Sequence, residues 1–154
     1  MDYTIKIGGE AGQGLVTVGQ LLSRILVRRG FSIAVTQSYQ SRIRGGHNTF
    51  EVRVSPDRIE APAEAIDILV ALNDETVGMH AADLAPRGLI VANETFCDAG
   101  ERCLRVPFKE LAPQQFENTA ALGILCAILG LDRAAAAQIL EEAFGAKHPE
   151  MVEG

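Results

Sequence analysis

Hydrophobic and polar residues alternate at the start of the chain and then change to a helical spacing. Residues 3–7 follow the two-residue period of a strand, and a glycine-rich segment occupies residues 8–14. Apolar residues then recur every three or four positions from Leu15 to Leu26, and two arginines and Gly30 follow, as is common where a helix ends. The pattern predicts a strand, a glycine-rich turn and a helix in that order.

The rest of the chain predicts further strands and helices in alternation. Residues 48–55 alternate cleanly, which is typical of a strand near a sheet edge with one hydrated face, whereas the nearly all-apolar segment 66–72 is typical of a central parallel strand. A helix is expected from Asp74 to about Leu84, ended by Pro86. The other expected elements are strands at 31–36, 89–92 and 103–106 and helices at 118–129 and 132–144. This order predicts a three-layer α/β/α domain with a mostly parallel, Rossmann-like sheet.

Length and composition fit one folded domain. The chain has 154 residues, of which 47% are hydrophobic and 22% are charged, and a chain of this size can bury a substantial core. We assign residues 1–146 to this domain. We expect the polar segment 147–154 to be the start of a linker, so that the chain is a piece of a longer protein. The longest apolar run, residues 120–131, is too short to span a bilayer.

Charge and cysteine content argue against several classes of function. A net charge of −6 and a pI of about 5.0 argue against a general nucleic-acid binder. The three cysteines, Cys97, Cys103 and Cys126, are widely spaced and form no CxxC motif or Cys/His cluster. They therefore predict no disulfide framework and no zinc or iron–sulfur site. We expect a reducing, cytoplasmic location, and we assign no metal ligand and no catalytic residue to this chain.

The glycine-rich turn is the first candidate binding site. A strand-to-helix turn containing Gly12, Gln13 and Gly14 presents backbone N–H groups and the positive end of the helix dipole to an anion. The dinucleotide fingerprint fits poorly, because Thr17 stands where the third glycine belongs and residues 11–50 contain no acidic residue. The alternative is a tight turn that needs glycine only for its backbone geometry and packing.

The loop between the second and third predicted strands is the second candidate. Its candidate ligand-binding residues are Arg42, Arg44, Gly45, Gly46 and His47. Because the loop follows the carboxyl end of a strand, we expect it at the same sheet edge as the glycine-rich turn, where open α/β sheets bind ligands. Residues 11–50 contain five arginines and no lysine or acidic residue, a charge of +5 on an otherwise acidic chain. This charge favours an anionic ligand or an acidic partner surface. The alternatives are a solvated loop whose arginines pair with acidic neighbours and a purely structural role for His47.

Together these segments resemble the gamma domain of the 2-oxoacid:ferredoxin (acceptor) oxidoreductases, enzymes of pyruvate, 2-oxoglutarate, 2-ketoisovalerate and indolepyruvate. The resemblance rests on IGGEAGQG at residues 7–14 and on SYQSRIRGGH at residues 38–47 with the strand at 50–55. Residues 66–72 and 118–123 add to it, so that it covers nearly the whole chain. The loop is most similar to the form in which the gamma domain precedes the alpha domain, as in 2-oxoglutarate-type enzymes.

The resemblance implies a gamma component in an oxidative decarboxylation that produces acyl-CoA. The complete enzymes use thiamine diphosphate, magnesium and iron–sulfur clusters, which lie in partner domains, and they pass electrons to ferredoxin. The gamma domain packs against the alpha and beta components, covers the active site and helps to bind coenzyme A. The glycine-rich turn and the arginine loop are chemically suited to the phosphates of coenzyme A. On this basis the isolated chain is expected to be inactive.

Two other functions are compatible with the residues. One is a stand-alone Rossmann-type oxidoreductase that binds NADP, with Arg42 or Arg44 on the 2′-phosphate. The other is a non-catalytic assembly module whose arginine loop docks on a partner. In every case we expect neither nucleic acid nor a membrane as partner. We also expect a homo-oligomer of the isolated chain, since an acidic protein with one basic loop is self-complementary in charge.

Overall fold

A computed structural model describes residues 2–40, 46–96, 100–111 and 116–144 of the chain. Within these residues the strands are β1 (Tyr3–Glu10), β2 (Ser32–Tyr39), β3 (His47–Ser55), β4 (Ile66–Ala71), β5 (Leu84–Asn93) and β6 (Cys103–Val106). The helices are α1 (Leu15–Arg28), α2 (Asp74–His80), α3 (Phe108–Leu111), α4 (Glu117–Ile128) and α5 (Arg133–Phe144). A short 3-10 turn, Ala81–Asp83, joins α2 to β5. Among the described helices, none combines the length and hydrophobicity required to cross a membrane.

The strands form one six-stranded sheet in the order β2-β3-β1-β4-β5-β6. β4 pairs in parallel with both β1 and β5, and β5 pairs in parallel with β6. β3 runs antiparallel to both β1 and β2, so that every strand except β3 points in one direction. The predicted α/β class with a mostly parallel sheet is confirmed. The strand predicted near a sheet edge is β3, which lies next to the edge strand β2.

Helices cover both faces of the sheet because successive strand side chains point to opposite faces. On one face, α1, α4 and α5 enclose the larger core, which includes Ile7, Leu22, Phe50 and Leu122. On the other face, α2 covers a smaller core that includes Val77. The three layers of the prediction are therefore present, although the α2 layer is the thinner of the two.

The predicted helix from Asp74 to Leu84 is wrong in its length. α2 ends at His80, and β5 begins at Leu84, so that Pro86 lies inside a strand. The pairing of β4 with β5 passes from Ile66↔Leu84 to Ile68↔Leu89, which leaves Pro86 in an irregular, exposed part of the ladder. A proline lacks an N–H donor and is tolerated in a strand at such a position.

The chain connections diverge at the carboxyl ends of β1 and β4, which is where open α/β sheets form ligand crevices. β1 leads to α1 on one face, and β4 leads to α2 on the other. Because β2 points in the same direction as β1, the loop after β2 begins at this same edge. The glycine-rich turn and the described ends of the arginine loop lie at one edge, as expected, whereas Arg42 and Arg44 lie outside the described residues.

Candidate functional site

The turn between β1 and α1 uses two glycines in the left-handed region of backbone conformation. Gly12 has a φ of 97° and Gly14 a φ of 76°, values that residues with a Cβ adopt at a cost. Gly14 is the N-cap of α1, and within the described part of the chain no side chain caps this helix or places a negative charge in its first turn. The N–H groups of the first turn of α1 have no partner within the helix. This helix end is therefore suited to receive an anion.

Gln13 ties the glycine-rich turn to the neighbouring strand. Its Oε1 accepts a hydrogen bond from the Glu10 N–H at 2.6 Å, and its Nε2 donates to the Leu72 carbonyl at 3.1 Å. The side chain thus bridges the carboxyl ends of β1 and β4. Its described contacts are structural, and the predicted role of Gln13 in ligand binding stays a prediction.

Asn118 of α4 reaches the same turn, although no pattern in the sequence marks it as part of the site. Its Nδ2 occupies the space that a Cβ on Gly14 would need. Its Oδ1 accepts a hydrogen bond from the Thr119 N–H at 2.8 Å, so that the amide nitrogen is turned toward the start of α1. An asparagine at a helix start is a recognisable signal. The turn that it approaches is decided by how α4 packs against α1.

One end of the arginine loop meets the glycine-rich turn, and its other end pairs with the start of β3. The Ala11 N–H donates to the Gly46 carbonyl at 3.4 Å, and the Gln40 N–H donates to the His47 carbonyl at 3.3 Å. A Cβ on Gly46 would lie 2.8 Å from the Gln40 carbonyl oxygen, so that glycine permits a close approach of the two chain segments. Gly46 and His47 therefore lie at the predicted edge. Arg42, Arg44 and Gly45 lie outside the described residues.

Part of the positive charge of residues 11–50 lies toward the C-terminal end of α1. Arg24 and Arg28 lie in the second half of the helix, and Arg29 is its C-cap. Arg28 also pairs with Glu142, with Nη1 donating to Oε1 at 2.9 Å. The helix has 14 residues, a length of about 20 Å. Three of the five arginines of this segment thus lie away from the glycine-rich turn, and the other two, Arg42 and Arg44, lie outside the described residues.

His47 lies buried beneath α2. Its side chain is only 4% exposed, and its Nε2 is 3.0 Å from the Nε2 of His80. The Nδ1 of His80 is 3.2 Å from an Asp83 carboxylate oxygen. The Nδ1 of His47 is buried and has no hydrogen-bond partner among the described residues. Sequence reasoning selected His47 but not His80 or Asp83, because the two segments meet only when α2 packs on the sheet.

Burial is the main cause that lowers the pKa of His47 below its ordinary value of 6.5. Loss of hydration disfavours the charged imidazolium. The neighbouring His80 lowers the pKa of His47 further, Glu75 opposes this shift, and Lys6 adds to it. The folded protein therefore favours a neutral imidazole at His47.

The stability of the chain should consequently fall as the pH drops below about 6.5, the ordinary pKa of histidine. Above this pH the imidazole is neutral in both states, and His47 contributes no pH dependence. Below it, the unfolded chain takes up the proton first, which favours unfolding until the pH reaches the lower pKa of the folded state. Urea unfolding of wild type and His47→Gln at matched pH values measures this contribution. Equal pH dependence in the two proteins would contradict it.

Comparison with known proteins places the chain in a family. The family model described as pyruvate ferredoxin/flavodoxin oxidoreductase matches residues 4–154. Ketoisovalerate oxidoreductase subunit VorA of Methanothermobacter thermautotrophicus is 30% identical, over 95% of this chain and 33% of the relative. 2-Oxoglutarate synthase subunit KorC of Archaeoglobus fulgidus is 29% identical, over 84% of this chain and 72% of the relative. The chain thus spans about a third of the length of VorA.

Solved structures have the same fold. The 2-oxoglutarate:ferredoxin oxidoreductase from Magnetococcus marinus, with 2-oxoglutarate, coenzyme A and succinyl-CoA bound, has a TM-score of 0.88 at 21% identity, over 99% of this chain and 28% of that chain. The gamma subunit of a keto/oxoacid ferredoxin oxidoreductase from Geobacter sulfurreducens has a TM-score of 0.81 at 21% identity, over 99% of this chain and 91% of that chain. With the match to residues 4–154, the chain belongs to the pyruvate ferredoxin/flavodoxin oxidoreductase family.

Proposed function

We propose that the chain is the gamma component of a 2-oxoacid:ferredoxin oxidoreductase that oxidatively decarboxylates a 2-oxoacid to acyl-CoA. In this proposal it covers an active site formed with alpha and beta components and helps to bind coenzyme A. Thiamine diphosphate, magnesium and iron–sulfur clusters belong to those components, where they supply the chemistry of decarboxylation and electron transfer. Ferredoxin accepts the electrons. Family membership supports this assignment, as do relatives named for 2-oxoglutarate and ketoisovalerate and a neighbour solved with coenzyme A bound.

The observation that carries the coenzyme A part is the meeting of an uncapped helix with the ends of the arginine loop. Gly14 begins α1 without a side-chain cap, and the preceding Ala11 is hydrogen-bonded to Gly46 at the end of the loop. Arg42 and Arg44 stand four and two residues, respectively, before Gly46 in the sequence. The sequence thus puts both arginines of the loop within four residues of a described residue at this edge.

The chemistry of these donors matches the anionic part of coenzyme A, which carries a diphosphate and a 3′-phosphate. Backbone N–H groups at a helix start bind phosphate through short hydrogen bonds and the helix dipole. The planar guanidinium groups of Arg42 and Arg44 can each donate two parallel hydrogen bonds to phosphate oxygens. A Cβ on Gly12 would meet no atom of the described residues within 4 Å, so that the turn leaves space there for a ligand.

We expect Arg44→Ala and Arg42→Ala each to raise the KM for coenzyme A of the assembled enzyme by about 10- to 150-fold. A hydrogen bond to a charged group contributes about 1.5–3 kcal/mol, and each 1.4 kcal/mol is a factor of about ten. The decarboxylation step, which precedes the reaction with coenzyme A, should keep a near-normal rate. Steady-state kinetics with coenzyme A varied, together with single-turnover decarboxylation in its absence, measure the two effects separately.

Arg29→Ala is the matched control for these substitutions. Arg29 belongs to the same positive segment of sequence but caps the far end of α1, so that its removal should change the KM for coenzyme A by less than about twofold. If the two loop substitutions also stay within that range, coenzyme A binds elsewhere and the loop has another role.

A non-catalytic docking role is the second candidate, and it is favoured by the surface of the edge strand β2. Val35 and Tyr39 are 43% and 60% exposed there, which is typical of a surface that a partner covers. In that case Arg44→Ala would weaken assembly with the alpha and beta components and leave the affinity of the assembled enzyme for coenzyme A unchanged. A stand-alone NADP enzyme would instead show saturable NADP binding and no coenzyme A binding.

A further inference from the structure

A chain of polar side chains connects the solvent to a buried imidazole on the α2 face of the sheet. Asp83 is half exposed, and its carboxylate contacts the Nδ1 of His80 at 3.2 Å. The Nε2 of His80 faces the Nε2 of His47 at 3.0 Å, and the two rings are tilted by 36°. His47 ends the chain with a buried Nδ1 that has no partner among the described residues.

These contacts are compatible with one arrangement of protons on the two neutral rings. An ionised Asp83 can only accept, so that the Nδ1 of His80 must donate to it. The Nε2 of His80 is then an acceptor, and the Nε2 of His47 must supply the proton between the rings. The Nδ1 of His47 consequently carries no proton and can only accept a hydrogen bond. The described residues include no group of three or more His, Cys, Asp or Glu side chains able to hold a metal, which favours a proton over a metal ion as the link.

One additional proton breaks this arrangement, whichever ring receives it. If His47 takes the proton, its buried Nδ1 becomes an N–H donor without an acceptor. If His80 takes the proton, the two facing Nε2 atoms both carry protons and can no longer form a hydrogen bond. His47 must then move its own proton to Nδ1, which again becomes an N–H donor without an acceptor. A buried N–H without a partner is strongly disfavoured. The hydrogen bond between the Nε2 atoms of His47 and His80 is therefore stable only while both rings are neutral.

Charged groups on the surrounding elements do not remove this constraint. Lys6 of β1 approaches from the sheet and opposes protonation of His47, although it is partly neutralised by Glu51 at 3.1 Å. Glu75 of α2 favours protonation, and Glu10 of β1 is the register partner of His47. None of the hydrogen bonds within the described residues supplies an acceptor to the Nδ1 of His47.

We propose that His47, His80 and Asp83 make the candidate coenzyme A edge sensitive to pH, with His80 as a positioning residue that acts through His47. The backbone of His47 accepts from Gln40, and the adjacent Gly46 accepts from Ala11, so that a displaced His47 disturbs both anchors of the arginine loop. The effect on coenzyme A rests on the proposed function. The arrangement of protons does not, because it follows from the contacts of this chain alone.

Nitrogen-15 NMR of the three imidazoles tests the arrangement of protons in the chain itself. The chain has three histidines, His47, His80 and His148. At about pH 7.5, where unperturbed histidines are neutral, we expect His47 as the Nε2–H tautomer and His80 as the Nδ1–H tautomer. The proposal is overturned if His47 carries its proton on Nδ1 or if His80 carries its proton on Nε2.

Kinetics of the assembled enzyme test the coupling to coenzyme A. With one linked proton, the KM for coenzyme A should rise by up to about tenfold per pH unit once the pH falls below the pKa of His47 in the folded enzyme, which burial lowers from the ordinary value of 6.5, with kcat changing much less. His80→Leu removes the acceptor for His47 and should raise this KM by about three- to tenfold at about pH 7.5. His80→Gln retains an oxygen acceptor and should restore a value close to that of wild type.

Substitution of the outer carboxylate provides a matched pair of variants. Asp83→Asn keeps an oxygen acceptor but removes the charge that favours a protonated pair, so that the rise in KM should move to lower pH. Asp57→Asn changes an exposed carboxylate in the loop after β3 and should leave the profile unchanged. An identical profile in the Asp83 and Asp57 variants would refute the proposed coupling.

The two proposals fail in different ways. If coenzyme A binds elsewhere, Arg44→Ala and His80→Leu both leave its KM unchanged, while NMR still reports the paired tautomers. If only the positioning role is wrong, Arg44→Ala raises the KM, whereas His80→Leu does not.

Discussion

Replacement of Phe50 by alanine is expected to lower the free energy of unfolding by about 3–5 kcal/mol, the usual cost of removing a buried aromatic side chain. Phe50 is 2% exposed and packs under α1, where its Cε1 lies 2.5 Å from the position that a Cβ on Gly19 would occupy. The ring therefore fills the space that the glycine leaves open. Urea unfolding followed by circular dichroism measures the loss.

The contact of Phe50 with Gly19 predicts that replacing glycine by alanine has opposite effects on stability at Gly19 and at Gly123. Gly19→Ala should destabilise the protein by about 1–3 kcal/mol, because the new methyl group collides with a ring that cannot move freely. Gly123→Ala in α4 should stabilise it by about 0.5–1 kcal/mol, since nothing lies within 4 Å and alanine is the better helix former. Stabilisation by both substitutions would show that α1 does not approach Phe50 this closely.

Gly14→Ala is expected to lower the free energy of unfolding by about 2–3 kcal/mol. A residue with a Cβ in the left-handed region costs about 1–2 kcal/mol. The new Cβ also displaces the Asn118 amide, which breaks its hydrogen bond to the Thr119 N–H, and such a bond contributes about 1 kcal/mol. Thermal or urea unfolding of the purified chain measures the sum.

Two further variants separate the backbone strain at Gly14 from its contact with Asn118. Gly12→Ala meets nothing within 4 Å, so that it should show only the conformational cost of about 1–2 kcal/mol. Asn118→Ala removes the obstructing amide, and in that background Gly14→Ala should cost no more than Gly12→Ala. A full cost that persists in the double variant would show that Asn118 is not the obstacle.

Elements whose residues interact mainly with their sequence neighbours could be predicted from the sequence. α1 and the first half of β1 were predicted from periodicity and the terminal arginines, which are local signals, whereas β1 continues to Glu10, through residues that the glycines had assigned to the turn. The helix after Asp132 also begins as expected, with the Asp132 carboxylate accepting from the Ala134 N–H at 3.1 Å. The length of α2 was predicted wrongly, because Pro86 indicates a helix end locally but is accommodated by an irregular strand pairing that only the sheet creates.

The sequence by itself determined the chemical character of the candidate edge: glycines that permit a left-handed turn, a helix start without acidic residues, and an arginine loop after a strand. Tertiary structure decided which of those groups share the edge. It carried Arg24, Arg28 and Arg29 toward the far end of α1, because a helix separates its ends by a fixed rise per residue. It also brought Asn118 to Gly14 and His80 to His47. These are contacts between residues far apart in the chain, which depend on how helices pack on the sheet and which no local pattern encodes.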